Sequence, residues 1–142
     1  MKAPGHWTID TLFEGRPAAR MLYERIEAYI RSLGTVRVEA AKTQVSFGTQ
    51  RKFAWVWLPQ MWIKKRPENS VTLAFDLGRR VRSARIASAV EPRPGRWTHH
   101  VLIDKPADLA PDVRRWLREA YQNSLKPKAA RRAPRPRRGP EV

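Results

Sequence analysis

The residues of this 142-residue chain that could do chemistry are few: three histidines, six tryptophans and a large excess of basic side chains, with no cysteine. The adjacent pair His99 and His100 is the most reactive-looking group. On a strand, neighbouring side chains point to opposite faces, so the two cannot grip one metal ion or act as one acid–base couple. Their expected state is one buried histidine with a hydrogen-bond partner and one exposed. Lys42, at the junction of two strands, could hold an anion, although an exposed turn is the commoner place for lysine. Trp55, Trp57 and Trp97 fall in strands. They either fill the core or form an aromatic wall for a ligand or nucleobases. A pocket built from Lys42, Trp55, Trp57, Trp97, His99 and His100 is the small-ligand or enzyme alternative.

Other chemistry lacks its residues. The absence of cysteine excludes disulfides, thiol catalysis and cysteine-based metal sites. No serine sits in a nucleophile elbow, and no glycine-rich phosphate loop is present. The acids fall on helix surfaces and caps, while Asp76 and Glu91 lie near strand ends, where they could pair with arginines. No catalytic residue, metal site or cofactor is predicted, and an enzyme is the less favoured class.

The charge speaks more clearly. Twenty-nine Lys and Arg against 13 Asp and Glu give a formal net charge of +16, beyond the roughly 2 to 8 units that solubility asks of a small domain. Residues 126–142 hold seven basic side chains and one acidic one, with four prolines. Arg131, Arg132, Arg135, Arg137 and Arg138 dominate this segment, which is expected to be a disordered arm, because it cannot bury enough surface to offset its ordering entropy. Removing it leaves 22 basic and 12 acidic groups, still +10, so the charge is not an appendage. Arg51, Lys52, Arg79, Arg80 and Arg82 cluster in two turns expected at one end of the sheet. Together with the tail they make nucleic acid or another polyanion the predicted partner, bound without base-specific readout.

Positioning these residues requires the following elements. Thr8 can cap a short helical turn, and Pro17–Leu33 carries Leu22, Ile26, Tyr29, Ile30 and Leu33 on one helical face, with Gly34 as the stop. Alternation then predicts strands around residues 36–40, 44–47, 53–58, 71–77, 85–90 and 96–103. The third is apolar on both faces. Pro92 is expected to end the fifth strand. Asp108 can cap a second long helix whose stripe is Val113, Trp116, Leu117, Ala120 and Tyr121. With no helix between successive strands, the expectation is an α+β domain over residues 1–125. Its largely antiparallel meander of five to six strands carries the N-terminal and C-terminal amphipathic helices on one face. No segment is apolar enough for membrane insertion, and residues 1–6 lack the apolar stretch of a secretory signal, so a cytoplasmic location is expected. A protein-interaction domain using the aromatic strand is a further alternative.

Several stretches together resemble a bacterial family of small stand-alone domains of unknown function: Lys42-Thr-Gln-Val-Ser-Phe47, Phe53-Ala-Trp-Val-Trp-Leu-Pro59, Trp97-Thr-His-His100 and Trp116-Leu-Arg-Glu-Ala-Tyr121. Phe13-Glu-Gly-Arg-Pro17 and Leu22-Tyr-Glu-Arg25 add to the resemblance, which spans roughly residues 8–124. Related domains end longer proteins labelled as predicted transport or restriction-associated. The resemblance implies a small α+β domain and brings no activity or site residues.

Overall fold

A computed structural model describes residues 7–58 and 70–126. The chain opens with α1 (Ile9–Leu12), closed by a reciprocal cap in which the Thr8 hydroxyl accepts from Thr11 N–H and the Thr11 hydroxyl from Thr8 N–H. The helix α2 (Pro17–Leu33) starts on a proline at its first position, where the missing N–H costs nothing. Ala19, Leu22, Tyr23, Ile26 and Ile30 form its buried stripe. On its outer side Arg20 binds Asp10 at 2.6 Å and Glu24 at 3.0 Å, and Arg31 binds Glu27 at 2.6 Å.

Six strands follow: β1 (Arg37–Ala40), β2 (Gln44–Gly48), β3 (Lys52–Trp57), β4 (Val71–Leu77), β5 (Ile86–Arg93) and β6 (Arg96–Ile103). All five pairings are antiparallel, and the spatial order is β1-β2-β3-β4-β6-β5. This corrects the simple meander. The chain leaves β4, crosses β6 as a strap over residues 78–85, and lays β5 on the outer edge before the hairpin returns it to the centre. The strap is pinned by Val81 N–H, which donates to His99 Nε2 at 2.9 Å. Strand β5 runs past Pro92 instead of ending there. An edge strand has an N–H row that needs no partner, so proline is tolerated.

The helix α3 (Pro111–Ser124) buries Val113, Trp116, Leu117 and Ala120. Its N-cap is Ala110, not Asp108. Asp108 instead closes a 3₁₀ turn (Pro106–Asp108), accepting from the N–H groups of Asp104 and Lys105 at 2.9 and 3.2 Å. Both long helices pack on one face of the sheet, over Val45, Phe47, Val56, Leu73, Phe75 and Val101. Tyr23 stacks on Phe47 at 6.1 Å, and Phe75 lies between His99 at 5.4 Å and Trp116 at 6.0 Å.

One irregularity decides what the other face presents. Between Phe47↔Ala54 and Gly48↔Lys52 the register shifts by one residue, so Phe53 is the extra residue of a β-bulge. The bulge turns Phe53 to the helix side, where it meets the edge of Tyr121 at 5.8 Å and is buried. Trp55 and Trp57, past the bulge, keep the opposite parity and stay half-buried on the face that carries none of the described helices.

Candidate functional site

The second face of the sheet, on which none of the described helices packs, is built from one alternating set of its central strands: Gln44 and Ser46, Trp55 and Trp57, Thr72, Ala74 and Asp76, Thr98 and His100. Thr72, Ala74 and Asp76 are buried on this face, with Trp57 and Leu102 beside Thr72 and Trp55 and His100 beside Ala74. A cleft of about 340 Å³ lies here, lined by Trp55, Trp57, Asp76, Arg93, Arg96 and Thr98, with Pro92 at its rim.

Asp76, only 3% exposed, organises the cleft. Its Oδ2 accepts from Arg96 Nε at 2.7 Å and its Oδ1 from the Thr98 hydroxyl at 2.6 Å. Both contacts follow from the pairing of β4 with β6, which sets Asp76 opposite Thr98 and leaves Arg96 two residues away on the same face. Trp57 is fixed in turn: its Nε1 donates to Gln44 Oε1, and its ring stacks on His100 at 5.1 Å. His100 Nδ1 is 3.0 Å from the Ser88 hydroxyl.

The predicted pocket is therefore divided by the sheet. Trp55 and Trp57 line the cleft, and His100 stacks on Trp57 without lining it, while His99 and Trp97 lie on the helix side. Lys42 is exposed in the β1–β2 turn and lines no part of the cleft. Asp76 was anticipated as a partner for arginines, whereas Arg93, Arg96 and Thr98 were not singled out as site residues. The available signal was an acidic residue, Asp76, in an otherwise apolar strand, and it leads to the site only once β6 is known to be the neighbour.

His99 is fully buried, and its Nδ1 reaches no hydrogen-bond partner. Burial lowers its pKa from the usual 6.5, opposed more weakly by the nearby carbonyls of Phe75 and Trp97. The neutral ring accepts from Val81, and a protonated ring would face that donor with another. A depressed pKa in the folded state means that the unfolded chain binds the extra proton. Stability is then full above about pH 6.5 and falls as the pH drops below it, by at most about 1.4 kcal/mol per pH unit. Denaturant unfolding at pH 7.5, 6.5 and 5.5 should show this loss, and His99→Gln, which keeps an acceptor and does not titrate, should flatten it. Equal slopes in the two chains would contradict the assignment.

The basic residues are distributed differently from the expectation. Lys52 is paired with Glu39 at 3.3 Å, and Arg51 is half-buried with contacts of its own. Arg79 binds Glu119 at 2.8 Å, which raises its pKa, and Arg85 binds Asp112 at 3.1 Å. These two pairs tie the strap to α3. Arg80 lies over the Trp97 ring at 5.4 Å, and Arg82 is exposed. Strap and α3 together hold seven arginines (79, 80, 82, 85, 114, 115 and 118) against two acids (112 and 119), a local charge of +5. Arg131, Arg132, Arg135, Arg137 and Arg138 lie outside the described residues.

A broader groove of about 690 Å³ runs between the strap and the 3₁₀ turn. Two of its three acids are occupied, Asp112 by Arg85 and Asp108 by Lys105 and two N–H groups, and the third is Asp104. Among the described residues no group of three potential metal ligands occurs, and no helix is long and apolar enough to cross a membrane.

An antiparallel six-stranded sheet with its helices on one side and an aromatic, arginine-bearing cleft on the other defines a small α+β domain. The chain belongs to the family described as a domain of unknown function (DUF5655), whose model matches residues 9–124 and so stops short of the basic tail. No curated protein and no solved structure matches the chain.

Proposed function

We propose that this domain is a binding or accessory module that holds nucleic acid, or another polyanion, through its backbone charge and without reading sequence. The observation that carries the reading is the strap–α3 surface. Its two carboxylates are already engaged by Arg79 and Arg85, and Arg82, Arg115 and Arg118 remain exposed without an ion pair among the described residues. Arg115 follows Asp112 by three residues and precedes Glu119 by four, so helical spacing places it on the flank that meets the strap. Cations held in a row on a rigid helix release counterions when they meet phosphates, which gives affinity independent of sequence. Residues 126–142 continue from the end of α3 with seven further basic residues. The tail is proposed to raise the encounter rate, and the ridge to hold the polymer.

Two chains test this. Reversing Arg82, Arg115 and Arg118 to glutamate should weaken binding of labelled DNA and RNA. It should also lower the dependence of log K on log salt by roughly two to three units, at about 0.7 to 0.9 per lost phosphate contact. A chain ending at Leu125 should lose several further units of slope. Titrations at two salt concentrations read both effects, and an unchanged affinity and slope in the reversed chain would refute the ridge.

A further inference from the structure

The cleft lined by Trp55 and Asp76 lies across the sheet from this ridge and shares none of its residues. It combines three features that together suit a ligand. First, Arg96 is anchored through Nε alone, and its Nη1 and Nη2 donate to no described residue. A buried carboxylate thus orients a guanidinium whose terminal fork no described residue occupies. Second, Arg93 sits directly opposite Arg96 in the β5–β6 hairpin, exposed and without a described partner. Like charges facing each other across a hairpin repel, and Asp76 can neutralise only one of them. Glu91, the one acid of the β5–β6 hairpin itself, is committed to the turn, accepting from Gly95 N–H at 2.9 Å. Third, Trp55 has only small residues as cross-strand neighbours, Ser46 on one side and Ala74 on the other. No side chain directly beside it in the sheet covers its ring, while Trp57 is fixed by Gln44 and His100.

An aromatic platform beside two guanidinium groups calls for a planar ring carrying an anionic, multidentate group. Phosphate fits the fork geometry of arginine and carries enough charge to satisfy two of them. A volume of about 340 Å³ stands near the lower end of small-molecule sites, about 300 to 1,000 Å³. We propose that this cleft binds a nucleoside monophosphate, with the base on Trp55 and the phosphate on Arg93 and Arg96. The nucleotide can arrive free or as the phosphorylated end of a strand.

The full-length protein at low salt is titrated with AMP, GMP, CMP and UMP in turn, and binding is followed by tryptophan fluorescence. At least one monophosphate should quench saturably. The matching nucleoside and inorganic phosphate should each bind at least about tenfold more weakly. Arg93→Glu, at an exposed position with no partner among the described residues, should weaken the nucleotide by about tenfold or more, as should Trp55→Leu, with circular dichroism confirming the fold. A 5′-phosphorylated oligonucleotide that competes better than its unphosphorylated form identifies the strand end as the source, and equal competition identifies the free nucleotide. The chain with Arg82, Arg115 and Arg118 reversed should bind the monophosphate as the unmodified chain does, which separates this site from the ridge. Linear quenching by all four up to about 10 mM overturns the proposal. So does an affinity unchanged by Arg93→Glu, or inorganic phosphate binding as well as the nucleotide.

Discussion

Gly34→Ala is expected to lower the melting temperature by roughly 10 °C, because two separate penalties meet at that position. Gly34 closes α2 at φ 155° and ψ −164°, a region that side-chain-bearing residues rarely adopt. Strain of this kind costs about 1 to 3 kcal/mol. A Cβ there would also stand 2.0 Å from the Tyr121 hydroxyl oxygen and 2.9 Å from its Cζ. Tyr121 cannot withdraw freely, since its ring meets Phe53 edge-on at 5.8 Å, in the contact that joins α3 to the bulge of β3. Forcing a methyl into such a junction adds about 1 to 3 kcal/mol. Combining Gly34→Ala with Tyr121→Phe removes the closest contact and should recover part of the loss, leaving the backbone term and the crowding at Cζ. A thermal scan of the three chains decides the matter. A Gly34→Ala chain melting within about 2 °C of the parent would show that the helix end re-forms without strain.

The same contact illustrates what the sequence could convey and what it could not. The helix α2 was legible to its last residue, since Pro17 and Gly34 punctuate it and its apolar residues recur at helical spacing. The strands were legible from alternation, and parity alone separated Trp97 and His99 from His100. Parity failed at Phe53, because a bulge inserts one residue and reverses the faces behind it, and nothing in the local pattern announces that. Partner choice was hidden as well. Alternation says that β5 and β6 are strands but not that β6 takes the place beside β4, so the Asp76–Arg96 contact could only be anticipated in kind. The ion pairs of two residues in the predicted basic patch were hidden for a related reason. Arg79 and Glu119 are 40 residues apart, and Lys52 and Glu39 meet across β2, so their pairing depends on tertiary structure. The arginines of α3 were visible as an exposed face, yet only the strap packed beside them joins them to Arg82.

Arg96→Met is expected to destabilise the fold by about 3 to 5 kcal/mol, and Asp76→Asn by clearly less, about 1.5 to 3 kcal/mol. The asymmetry follows from burial. Asp76 is 3% exposed, whereas the Arg96 side chain is 29% exposed. Loss of the arginine leaves a carboxylate in the sheet with only the Thr98 hydroxyl to satisfy it. Loss of the carboxylate's charge leaves a guanidinium that can turn toward water, and asparagine still offers an oxygen. Replacing both partners, Arg96→Met with Asp76→Leu, should recover much of the Arg96→Met loss, because well-packed apolar groups often substitute for a buried ion pair at little cost. Urea unfolding of the three chains measures these differences directly. If Asp76→Asn proved the more costly change, the pair would owe its stability to the arginine's need for a partner. The buried acid would then not be what holds Arg96 in place at the cleft.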